Sequence, residues 1–130
     1  MEKQIPYGLK TTFLVHFVVA GVFGFVFLLI PQMFSGMMGA PISDLHHVNT
    51  FRLVGAALIA FAASSWFAYR ETLWERVKIV VQMEIVWTIL GVLATLYGLV
   101  YEGLPTGDWM NVVILGAFAV AFIFFYSRRR

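Results

Sequence analysis

Lys78-Ile79-Val80-Val81-Gln82-Met83-Glu84-Ile85-Val86-Trp87 opens an apolar run that continues to Tyr101. A run of this length reads as a helix that crosses hydrocarbon. It also carries a carboxylate, Glu84, the one acidic residue that this reading puts inside the membrane. Everything else in the chain is organised around that span and that residue.

Outward from it, the same kind of segment recurs. Of 130 residues, 61% are hydrophobic and only 12% charged, with a mean hydropathy of +0.85. A water-soluble domain would need far more charge to cover its surface, so the composition is that of a polytopic membrane protein. The sequence has no cysteine, which excludes a disulfide framework and a thiolate metal site. The net charge of +2 comes from basic residues gathered at segment ends. They read as threading signals and not as a nucleic-acid footprint.

Four spans are predicted, at 10–30, 50–69, 77–100 and 109–127, in one domain covering 1–130. The first, beginning near Thr11, is longer than the apolar core of a secretory signal and is expected to be retained. Pro31 stops it. The following Gln32–Pro41, rich in Met and broken by Gly and Pro, is expected to lie in the interface or to pack against a partner. Asn49 or Thr50 is a candidate cap for the second span, and Ser43 or Asp44 for a surface turn before it. Small residues form rows suited to close helix approach: Ala56, Ala60 and Ser64 in the second span, Gly91, Ala94, Thr95 and Gly98 in the third, Gly116, Ala117 and Ala121 in the fourth. The linker 70–76 reads as a charged helical elbow. Tyr97 and Tyr101 suit an interfacial aromatic belt.

Eight of the nine basic residues (Lys3, Lys10, Arg70, Arg76, Lys78, Arg128, Arg129, Arg130) fall on one side of these spans, and only Arg52 on the other. The positive-inside rule then puts both termini in the cytoplasm. The fold expected is an all-α integral membrane four-helix bundle, up-down-up-down, in the plasma membrane.

With that threading, Glu84 lies about 9 Å inside the cytoplasmic edge. His16 lies at matching depth in the first span, with Trp66 and Trp87 near its level and Gln82 and Ser127 closer to the surface. The expectation is an intramembrane polar cluster centred on Glu84 and His16. Its structural reading is a tie between helices, or a Glu84 turned toward Lys78 or Arg76; its functional reading is a proton or substrate path. At the outer interface, Arg52 is expected to pair with Asp108, Glu102 or Asp44, or else to form an anion or lipid-headgroup site. His46-His47 point about 100° apart on a helix and do not converge on a metal ion without a third ligand. His16 is also the one residue placed to ligate a pigment or, across a dimer, a haem. The cofactor stays unknown, and no metal is expected.

The stretches Leu29-Ile30-Pro31-Gln32-Met33-Phe34, Gly39-Ala40-Pro41, Arg52-Leu53-Val54-Gly55-Ala56-Ala57-Leu58 and Trp66-Phe67-Ala68-Tyr69-Arg70 resemble a pattern in small four-helix bacterial and archaeal membrane proteins, the DoxX-like ones among them. The resemblance covers about half the chain and implies the four-span fold without an activity.

The sequence contains no phosphate-binding glycine loop, no nucleophile beside a base and no carboxylate pair. The chain is therefore read as a non-enzyme: an accessory or scaffolding subunit whose partners are membrane lipids and other membrane subunits or further copies of itself. The alternative is a small oligomeric transporter or channel using Glu84 and His16. Four short spans are expected to enclose too little space for a ligand of ordinary size.

Overall fold

The computed structural model describes residues 4–129. Helices dominate: α1 (Tyr7–Leu29), α2 (Pro31–Met37), α3 (Leu45–Arg70), α4 (Trp74–Tyr97) and α5 (Trp109–Ser127). A π-type turn, Gly98–Glu102, extends α4, and a 3₁₀ turn, Thr106–Asp108, leads into α5. Four helical segments are long and apolar enough to cross a membrane: Tyr7–Leu29, Leu45–Arg70, Trp74–Glu102 and Thr106–Ser127. Lys3 and Arg130, two of the basic residues counted for threading, lie outside the described residues.

The helix ends follow local chemistry. Ile30, whose backbone leaves the helical region (φ −133°, ψ 45°), breaks the chain between α1 and α2, and Pro31 takes the first position of α2, where no amide hydrogen is needed. The connection broken by Gly and Pro is thus partly helical. Asp44 caps α3, its Oδ2 accepting from the His47 amide at 3.3 Å. The second span therefore starts at Leu45 and not at 50, because the Asp44 carboxylate satisfies an orphan amide a full turn earlier than Asn49 or Thr50. His46 and His47 become part of that first turn. The linker expected as a helical elbow is instead a short extended break at Glu71–Leu73. It pairs with the N-terminal segment: the Ile5 amide donates to the Thr72 carbonyl at 2.9 Å, and Gln4 bridges Leu73. Past α4, Gly103 adopts a left-handed conformation (φ 74°) that closes the π-type turn without a side-chain clash.

Helix α1 packs chiefly on α3, and α4 on α5; the two pairs meet more sparingly. The α1–α3 contact is tightest at Gly24 and Gly55. A Cβ on Gly55 would stand 2.7 Å from the Gly24 carbonyl oxygen and 2.7 Å from the Leu28 amide nitrogen, so the two backbones touch there. The buried face of α3 is consequently Gly55, Ala62, Ser65 and Ala68. This corrects the expected row: Ala56 and Ala60 point outward, since the backbone contact at Gly55 turns the next residue away from α1. On α5 likewise, Ala117 is exposed and nothing lies within 4 Å of a Cβ on Gly116, whereas Phe118, Ala119 and Phe122 are buried.

The dense core sits at the end of the bundle that carries the α3–α4 connection. Leu9, Phe13, Trp74, Val77, Val81 and Phe122 are buried together there. Trp74, at the start of α4, is 1% exposed despite lying beside a charged linker. Away from this end, toward Phe27, Gly91 and Asn111, the helices leave more space between them.

Candidate functional site

Glu84 and His16 meet inside the bundle. His16 projects from α1 and Glu84 from α4, and Glu84 is wholly buried. Glu84 Oε2 lies 3.4 Å from His16 Nε2, within ion-pair range, although the angle does not make a hydrogen bond. A third residue completes the cluster. Ser65, on α3, lies with its Oγ 2.7 Å from His16 Nδ1 and donates to Glu84 Oε1 at 3.4 Å. If the hydroxyl gives its proton to the carboxylate, its oxygen accepts from Nδ1–H. Nε2 then faces Oε2 with one proton for the two atoms, so the pair bears no net charge whichever atom keeps it. That arrangement suits burial, where a net charge is costly.

The fourth helix closes the site. Phe118 sets its ring edge-on to the imidazole with centroids 4.8 Å apart, and Phe122 does the same at 5.9 Å. Each of α1, α3, α4 and α5 thus contributes one or two side chains, and aromatic rings shield the polar centre. Thr88, also buried, turns its hydroxyl back to the Glu84 carbonyl at 2.6 Å and leaves the carboxylate to its neighbours.

Glu84 does not turn toward the basic residues of the interface. Arg76 pairs with Glu71 at 3.3 Å, and Lys78 reaches Glu75 at 4.0 Å. Gln82 donates to the Tyr126 hydroxyl at 2.8 Å, outside the cluster. Trp66 stacks on Tyr69, and Trp87 on Phe61, both away from the imidazole.

At the opposite end the expected ion pair is absent. Among the described residues Arg52 pairs with none of Asp108, Glu102 and Asp44. The physical reason is that the acids are engaged locally or sit elsewhere: Asp108 accepts from the Asn111 side chain at 2.9 Å, and Asp44 caps α3 and contacts His47 Nδ1 at 3.1 Å. Arg52 stands exposed on the outer face of α3. Among the described residues, no group of three or more His, Asp or Glu is gathered where it would hold a metal ion.

Two features escaped the sequence reading. One is Ser65. Its signal was present, since Gly55, Ala62 and Ser65 follow a seven-then-three spacing that keeps small residues on one helix face. The other is space. A cavity of about 310 Å³ lies between α1, α3, α4 and α5, with Phe118 in its wall. The expectation that the bundle is too small for a ligand does not hold, because the two helix pairs pack tightly at one end and only loosely at the other.

Helices that bury polar side chains at their centre and turn apolar ones outward define the class: a multi-pass α-helical membrane protein. The chain belongs to the family described as Domain of unknown function (DUF8292), whose model matches residues 2–128. No curated protein and no solved structure matches it.

Proposed function

We propose that this protein is a non-catalytic accessory or scaffolding subunit that packs against other helices in a membrane assembly. The observation that carries the reading is the closure of the Glu84–His16–Ser65 cluster. The two ionisable side chains deepest in the bundle lie within ion-pair range of each other, Ser65 hydrogen-bonds to both, and aromatic rings flank them. A residue set engaged in this way fixes helix positions. Both side chains are buried, out of contact with the surroundings of the bundle.

The outward faces support the second half of the proposal. Helix α3 carries small residues on two sides, and α1 uses only one of them. Ala56 and Ala60 remain exposed, of the kind at which membrane helices approach closely. The up-down-up-down order, with both termini on the cytoplasmic side of a prokaryotic plasma membrane, belongs to the same proposal. It is supported by the contacts of Ile5 with Thr72, His16 with Ser65 and Gly24 with Gly55, in which position along α1 rises as position along α3 falls. The resemblance to DoxX-like proteins is part of the same proposal. Native mass measurement after gentle detergent extraction tests it. The protein is expected to travel with other subunits, and a stable solitary monomer would overturn the accessory role.

One observation favours the alternative, a small transporter or channel: the 310 Å³ cavity is lined in part by Phe118, whose ring also packs against the His16 imidazole. Proton flux into liposomes separates the two. Flux that falls in Glu84→Gln would support transport, and flux unchanged by that substitution removes Glu84 from any pathway.

A further inference from the structure

The cavity beside Phe118 has the character of a binding site in its own right. Its walls are almost wholly apolar, with Phe23, Leu58, Trp87 and Phe118 among them, and all four long helices contribute. Binding sites in helical bundles are typically apolar chambers of about 300–1,000 Å³ with a few placed polar groups. A dry cavity of about 150 Å³ accommodates benzene, so one of 310 Å³ takes a body of roughly two fused rings. A second cavity of about 250 Å³ shares Phe27, Val54 and Asn111 with the first and reaches Asp108 and Thr50 near the helix ends.

Three side chains of the first cavity carry polar atoms: Thr95 and Asn111 present acceptors, and Trp87 and Asn111 each keep an N–H that makes no hydrogen bond among the described residues. Thr95 gives its hydroxyl proton to the Gly91 carbonyl at 2.8 Å, which leaves only lone pairs for anything else. Asn111 gives one of its two amide hydrogens to Asp108 at 2.9 Å, and its carbonyl oxygen accepts no hydrogen bond among the described residues. An apolar chamber that offers acceptors beside spare N–H groups suits an apolar body carrying a hydroxyl, which donates and accepts at once. A charged donor would be costly to bring there, so the donor is neutral.

We infer that this cavity binds a lipid-soluble alcohol or phenol, about two rings in size, whose hydroxyl donates to Asn111 or Thr95. The inference goes beyond the accessory role and does not depend on it.

Trp87 lines the cavity and supplies the readout. The full chain in phosphatidylcholine nanodiscs would be titrated with 6-bromo-2-naphthol and with 2-bromonaphthalene, heavy-atom quenchers of tryptophan fluorescence that differ by the hydroxyl. Trp66 and Trp109, on the outer surface, report simple partition of the probes into lipid as a component linear in concentration. The expected result is an additional saturable component that disappears in Trp87→Phe. Ala94→Phe and Val54→Phe, which fill the cavity from α4 and α3 and have room to adjust at partly exposed positions, are each expected to abolish saturable quenching while Trp87 is retained. Asn111→Leu is expected to weaken bromonaphthol about fivefold, the worth of one hydrogen bond, and to leave bromonaphthalene unchanged. Quenching of the wild-type chain that is only linear, or a saturable component that survives both filling variants, would overturn the site. Equal affinity of the two probes would overturn the hydroxyl-bearing class.

Discussion

At the residue scale the decisive group is Glu84. A carboxylate in the middle of a helical bundle has few stable settings, and here it has His16 and Ser65. Removing one partner of such a pair leaves a polar group buried without compensation. His16→Leu is accordingly expected to destabilise the fold by about 3–5 kcal/mol. The double variant His16→Leu, Glu84→Leu is expected to recover part of that loss, because no orphan remains. Unfolding in mixed micelles with rising SDS measures both, and strictly additive effects would show that the two side chains are not coupled. Ser65→Ala removes one hydroxyl that serves both partners. It is expected to cost about 1–3 kcal/mol in the same measurement.

At the element scale the controlling contact is the α1–α3 crossing. Gly24 and Gly55 let two backbones touch, and the atoms nearest a Cβ on Gly55 are backbone atoms, which cannot swing aside as the tip of a side chain can. Gly55→Ala must push the helices apart and is expected to cost about 1–3 kcal/mol. Gly116→Ala is the matched control, since its Cβ would meet nothing within 4 Å and alanine favours the helix. It is expected to be neutral or slightly stabilising. Equal effects of the two substitutions on the thermal transition in detergent would refute the crossing as the controlling contact. The spans themselves were readable: the predicted 109–127 coincides with Trp109–Ser127, and the predicted 10–30 lies close to Tyr7–Leu29. The start of α3 was not, because one capping carboxylate, Asp44, outweighed two later candidates.

At the scale of the whole molecule the balance of inside and outside is that of a chain in lipid. Large apolar residues such as Val22, Phe25, Leu90 and Val120 lie on the outer surface, while Glu84, His16, Ser65 and Thr88 lie within. In water such a surface would aggregate; in hydrocarbon it is the solvated one. The basic residues that would define the cytoplasmic face include Lys10, Arg70, Arg76 and Lys78, at or near the densely packed end of the bundle. A reporter enzyme fused after residue 130 is therefore expected to be active only in the cytoplasm. Periplasmic activity would reverse the proposed threading and with it the depth assigned to Glu84.

The sequence by itself determined the number of long helices, their approximate limits and the matching depths of His16 and Glu84. Those follow from the thickness of hydrocarbon and the rise of a helix, which act on each segment alone. Only the tertiary structure decided which face of each helix points inward. These segments are apolar all round, so no amphipathic stripe marks the buried side. Tertiary packing therefore chose Gly55, Ala62 and Ser65 over Ala56, Ala60 and Ser64, drew Ser65 to the His16–Glu84 pair, and left Arg52 without an acid among the described residues. It also opened the cavity beside Phe118, because the two helix pairs pack tightly at one end of the bundle and leave a gap between them toward the other.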